Sequence, residues 1–170
     1  LETALRASEE KYRNLLATTS EGFWLLDARM NLSEVNQALC TMLGYTQAEL
    51  LTKSLIDLVD EADRPMFMKQ VAQVPVTDHR HYELVLITSL GKKLHTSIHA
   101  TTIRNDRGDI QGAFAFITDV TERKQAEAKL QLAATVVSHA REGIFITDVQ
   151  GTILDVNDAF TQITGYSRQE

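Results

Sequence analysis

Cysteine, proline and tryptophan are scarce in this chain of 170 residues, which has one Cys, two Pro, one Trp and 6% aromatics. A single cysteine, Cys40, excludes an intrachain disulfide and any thiolate-rich zinc site, because each needs partners. Two prolines and eight glycines are too few for a disordered or low-complexity chain. Long apolar runs are also missing: the longest are about five residues, against the ~20 that a bilayer span needs. The start does not read as a signal peptide. Lys and Arg number 17 against 23 Asp and Glu, a net charge of -6, so there is no basic footprint for nucleic acid. The expectation is a soluble cytoplasmic chain with no membrane contact in this segment. Its 44% apolar content is enough for a core.

What the sequence does contain is a repeat. "EGFWLLDARMNLSEVNQALCTMLGYTQAE" (21–49) lies over "EGIFITDVQGTILDVNDAFTQITGYSRQE" (142–170) without a gap, at an offset of 121 with 9 identities in 29 positions. The organisation expected is one full copy and the opening third of another, a piece of a longer tandem protein. A lone hairpin is marginally stable, so the second copy is expected to be mobile or to pair through its edge.

Periodicity gives the elements of the full copy. Residues 1–18 read as a helix with Leu1, Leu5, Tyr12 and Leu15 on one stripe. Strands are expected at 23–27 and 32–35. Asn36 is placed to cap a short helix over 37–43, with Gly44 at its left-handed end. Further helices are expected at 46–50 and 63–74, where Pro65 suits a first turn. Strands at 82–88, 93–104 and 110–118 complete an α+β domain with a five-stranded antiparallel sheet and short helices on one face.

The last strand runs into charged helical sequence in "FAFITDVTERKQAEAKL" (114–130). Asp119 and Glu122 have capping-box spacing, and Thr121 is a second possible cap. Beyond them Ala126, Leu130, Ala133, Val137 and Ala140 recur at spacings of 4, 3, 4 and 3, which is a heptad seam. This predicts a coiled-coil-like helix and a homodimer through the flanking helices. An amphipathic helix packed on its own domain would show the same pattern.

In order and spacing, "EGFWLLD", "VNQA…LGYTQAEL", "LIDLVDEADR", the hairpin leading to "IRNDRG" and the closing "DVTERK" resemble the PAS domain family. The resemblance implies a linker helix at 1–19, a PAS domain at 20–120, a signalling helix at 121–140 and the start of a second PAS domain at 141–170. It also implies a sensor and dimerisation module upstream of a histidine kinase or a cyclic-di-GMP enzyme. Signal transfer is expected at Asp119, Thr121 and Glu122. By the same resemblance the pocket side carries Trp24, Leu26, Asn36, Phe67, Leu86, Thr96, Ile98, Ala115 and Ile117. Flavin-binding light sensors of this fold place amides where Leu86, Thr96 and Ile117 stand, and a reactive cysteine where Leu55 stands, so a photoactive flavin is not expected. Haem relatives draw an axial histidine from the helix at 63–74, which has none. His79 and His81 are assigned to a loop, and His95 and His99 to the outer sheet face, too far apart (about 13 Å) to share a metal. His139 is read as a favourable charge at a helix end. The interior is expected to be self-filled or to take a small apolar or weakly polar ligand, ahead of haem or flavin.

No catalytic constellation is present. The acids of "DLVDEADR" have no partnering histidine, and no glycine-rich phosphate loop occurs. The competing classes are therefore a sensory module and a pure dimerisation scaffold, with any catalysis in other domains.

Overall fold

A computed structural model describes residues 2–169, with side chains placed except at 2–5, 7 and the termini. Leu1, Leu5 and Glu170 of the sequence reading lie outside the described residues or side chains. The chain divides into two compact units, one through Thr121 and one from Glu122.

The first unit begins with helix α1 (Glu2–Thr18), followed by β1 (Gly22–Asp27) and β2 (Leu32–Val35). Helices α2 (Gln37–Leu43), α3 (Gln47–Thr52), α4 (Leu55–Leu58) and α5 (Arg64–Ala72) come next, with a 3-10 turn at Glu61–Asp63 before α5. Strands β3 (His79–Ile87), β4 (Lys93–Arg104) and β5 (Ile110–Asp119) close the unit. All pairings are antiparallel and the order is β2-β1-β5-β4-β3. This is the five-stranded α+β architecture that the alternating pattern implied.

Alternation along the strands puts Trp24, Leu26, Leu84, Leu86, Ile98, Ala115 and Ile117 on one buried face, where they join Leu39, Leu43, Leu50, Leu58 and Phe67 of the helices. Each large apolar side chain buried here contributes about 1.5–3 kcal/mol. The opposite face carries an aromatic cluster, in which Phe23 lies 5.4 Å from Phe116 and 6.2 Å from Phe114 between ring centroids. Helix α1 buries Leu16 but leaves Tyr12 and Leu15 exposed, so the described part of the expected stripe is not what docks it. The helix is held by its last turn.

Two local expectations are corrected. Helix α4 is an addition to the expected elements, because four residues are too few to show a period. His79 and His81 are on a strand, not in a loop: β3 starts three residues earlier because long β4 offers Thr101 and His99 as partners. The rings of His81 and His99 stack at 4.2 Å.

The second unit holds α6 (Thr121–His139, whose first residue belongs to the first unit), β6 (Phe145–Thr147), β7 (Ile153–Val156) and α7 (Asp158–Thr164). Its hairpin exposes Phe145, Ile146, Ile153 and Leu154. Among the described residues no helix is long and apolar enough to cross a membrane.

Candidate ligand cavity and strand-to-helix junction

A cavity of about 260 Å³ opens between the inner sheet face and helices α4 and α5. Its floor is apolar and buried: Trp24 and Leu26 of β1, Phe67 of α5, Ala100 of β4 and Ala113 of β5. Around the rim are Arg29, Asn31, Ser54 and Gln70, with Arg80 and Tyr82 from β3. Small residues at positions 100 and 113 leave the space that larger ones would fill.

Of the nine pocket residues read from sequence, Trp24, Leu26 and Phe67 line this cavity. Leu86, Ile98, Ala115 and Ile117 are fully buried in the packed core beside it. Thr96 is also fully buried, and its hydroxyl donates to the Leu84 carbonyl at 2.7 Å. Asn36 is occupied elsewhere, at the end of α1. The empty space is thus displaced toward the Arg80 end of β3. Sequence reasoning missed Arg80 and Tyr82, although they continue the inward alternation of Leu84 and Leu86; starting β3 at 82 left Arg80 off the strand and Tyr82 at its edge.

The cavity is small beside the ~300–1,000 Å³ of drug-sized ligand sites. Among the described residues no histidine lines it, so none of these wall residues offers the axial ligand that haem most often takes. The positions at which flavin relatives carry amides are sealed in the core. Cys40 is buried on α2, and burial pushes its thiol pKa up, which is the behaviour of a small core residue.

Met30 has a left-handed backbone, with φ of 63°, in the turn between β1 and β2. The Asp27 carboxylate sets that turn by accepting from the Arg29 and Asn31 amides at 2.8 and 2.9 Å. At the same place in the second copy stands Gly151, with φ of 89°. A side chain that accepts this backbone strain, and lines the cavity as Met30 does, fits the clustering of strain at functional sites.

Asn36 makes four bonds. Its Oδ1 accepts from the Phe23 and Leu39 amides at 2.9 and 3.0 Å, and its Nδ2 donates to the Leu16 and Glu21 carbonyls at 3.1 and 2.9 Å. One side chain therefore joins the last turn of α1, the start of β1 and the cap of α2. Asn157 repeats the set in the second unit: Oδ1 accepts from Ile144 and Phe160, and Nδ2 donates to the Val137 and Glu142 carbonyls. All four partners are shifted by the repeat offset of 121. Asn157 therefore ties the end of α6 to the second hairpin, as Asn36 ties α1 to the first.

Between β5 and α6 lies only Val120. Val120 donates its amide to the His95 carbonyl at 2.8 Å, and the His95 amide donates to the Thr121 hydroxyl oxygen at 3.0 Å. Both backbone groups of His95 are therefore spent on the junction. Asp119 Oδ1 accepts from the Thr121 amide and hydroxyl at 2.9 and 2.6 Å. The reciprocal box of Asp119 with Glu122 does not form: the helix starts at Thr121, and Glu122 is exposed in its first turn.

The seam residues Ala126, Leu130, Ala133 and Val137 are exposed on α6, Leu130 at 73%. Ala140 lies one residue beyond the helix, which ends at His139. The His139 ring lies 3.0 Å from the Thr135 carbonyl.

The sequence matches the PAS fold over residues 10–120 and again over 132–170. It is 28% identical over 148 residues to sporulation kinase E of Bacillus subtilis, covering 85% of this chain and 19% of that kinase. It is 24% identical over 141 residues to the sensor histidine kinase TmoS of Ectopseudomonas mendocina, covering 81% of this chain and 14% of that protein. The chain thus spans less than a fifth of the length of either kinase. The crystal structure of a PAS domain from Colwellia psychrerythraea is similar with a TM-score of 0.62 at 13% identity, over 66% of this chain and 97% of that one. With two matches on the two copies of the repeat and the sheet they require, this chain belongs to the PAS fold family, as a sensor domain related to those of histidine kinases.

Proposed function

We propose that the chain is the sensory and dimerisation module of a larger signalling protein, a histidine kinase or a cyclic-di-GMP enzyme. In this reading a ligand or partner changes the sheet, and the change passes into α6. The observation that carries the reading is the junction. Strand β5 supplies Ala113 to the cavity and ends at Asp119, where the His95 clamp hands it to the helix. With no loop to absorb it, a shift of β5 becomes a rotation or register shift of α6.

The apolar seam of α6 supports a homodimer through the flanking helices, since exposed apolar positions at heptad spacing gain by pairing. Catalysis is assigned to domains outside this segment. The second reading, a scaffold with a self-filled core, draws on the complete burial of Leu86, Ile98, Ala115 and Ile117. Light scattering on the chain and on Leu130→Glu tests the dimer. We expect a dimer that the charge converts to monomer; an unchanged mass would place the contact elsewhere. An absorbance spectrum of the purified chain with a Soret or flavin band would replace the small-ligand reading with a cofactor sensor.

A further inference from the structure

The cavity wall is lopsided in charge. Among the described residues two of its lining side chains, Arg29 and Arg80, carry formal charge, both cationic, and no acid lines it. That runs against the net charge of -6 for the whole chain. Arg29 stands at the exposed rim, next to the Asp27 carboxylate that offsets part of its field. Arg80 is different. It is half-buried on the inward row of β3, opposite Ala100.

The guanidinium of Arg80 is pinned by one nitrogen. Nη1 donates to the Thr77 carbonyl at 2.6 Å and to the Thr102 hydroxyl at 2.9 Å. Nε and Nη2 have no partner among the described residues. These two lie on the edge of the guanidinium that matches a carboxylate with two parallel hydrogen bonds. Two residues along the row, Tyr82 brings a phenol to the same cavity. Burial raises its pKa against a smaller pull from the Arg80 charge, so at neutral pH it remains a donor. No sealed side-chain nitrogen or oxygen lacks a partner among the described residues, and the Tyr82 hydroxyl bonds to no group among them. It is therefore accessible rather than sealed, on a side chain that lines the cavity.

We infer that the cavity binds a compact monocarboxylate with an apolar body, its carboxylate on the free edge of Arg80 and the Tyr82 hydroxyl. The body lies on Trp24, Leu26, Phe67 and Ala113. The inference rests on the reading of the cavity as the sensory site. A desolvated, hydrogen-bonded pair with a pre-positioned guanidinium favours an anion over a neutral isostere, because an amide leaves part of the fork unmatched. Met30, with its left-handed backbone, lines the same cavity between Arg29 and Asn31.

Titration calorimetry on the 170-residue chain at pH 7 tests this with three probes of one shape: 4-phenylbutanoate, 4-phenylbutanamide and 4-phenylbutylamine. We expect the carboxylate to bind about ten-fold or more tightly than the amide, with the amine weakest. In Arg80→Gln that preference should fall to about two-fold or less, and Arg80→Lys should keep part of it. Because Arg80 also ties Thr77 and Thr102, Arg29→Gln at the exposed rim serves as a second variant, with a loss of about two- to three-fold for the carboxylate alone. An amide that binds as tightly as the carboxylate, or a preference that survives Arg80→Gln, overturns the anion assignment and leaves the sensory cavity standing. If none of the three binds, the inference is overturned, and the sensory reading is left to a partner acting on the sheet.

Discussion

Replacing Asn36 by Ala removes two acceptor contacts and two donor contacts at one stroke. The amides of Phe23 and Leu39 and the carbonyls of Leu16 and Glu21 lose their partner in a region where Asn36 itself is only 7% exposed. A typical intramolecular hydrogen bond contributes about 1 kcal/mol net, and loss of an N-cap alone costs about as much, so the expected cost is roughly 3–4 kcal/mol. Urea unfolding monitored at Trp24, the one tryptophan of the chain and buried in the first unit, reads this as a lower midpoint with an unchanged slope. Asn36→Asp separates the parts. It keeps an acceptor for Phe23 and Leu39 but sets a carboxylate against two carbonyls, so α1 should detach while α2 stays capped. Tryptic cleavage at Lys11 and Arg13 should then accelerate. A loss below about 1 kcal/mol in Asn36→Ala, or unchanged cleavage in Asn36→Asp, would refute the view that this side chain locks the preceding helix to the sheet.

Other substitutions probe separate links. Met30→Gly relieves a left-handed backbone that costs a non-glycine residue about 1–2 kcal/mol. Against some lost packing, calorimetry should show a melting temperature higher by about 2–4 °C; a decrease would mean that packing outweighs strain. Gly112→Ala drives a new Cβ into the Leu26 carbonyl and should lower stability by more than about 3 kcal/mol, read as loss of cooperative unfolding. Glu49 accepts from the Thr46 amide and hydroxyl, which hold its pKa below the usual carboxylate range. A depressed carboxylate stabilises above its unfolded pKa and loses that contribution as pH falls through the folded one. Acid melts should therefore weaken below about pH 4 and be flatter in Glu49→Gln. Cys40, buried with a raised thiol pKa, should react with thiol reagents only on unfolding.

The strands, the Asn36 and Gly44 caps and the repeat were legible because each leaves a local mark: alternation, an amide before an apolar run, or self-similarity at 121. The cavity was not, because empty space depends on which long-range neighbours are small. Ala100 and Ala113 look like ordinary inward residues until they are set beside Leu26 and Phe67. Asn36 reads in sequence as a cap and as a polar pocket group. Only the fold shows its Nδ2 turned to the carbonyls of Leu16 and Glu21. The capping box at Asp119 failed by a shift of register, since Thr121 bonds to β4 through His95 and the helix starts there. The histidines at 79 and 81 joined β3 because pairing across the sheet overrode weak local propensity.

The proposal that cavity and helix are mechanically joined is tested most directly by hydrogen exchange on the chain and on Ala100→Leu, which fills the cavity without any ligand. Altered protection should run along β5 and appear at the Val120 amide bonded to His95 and at the Thr121 amide. Protection that changes around Ala113 and stops before Val120 would contradict the coupling.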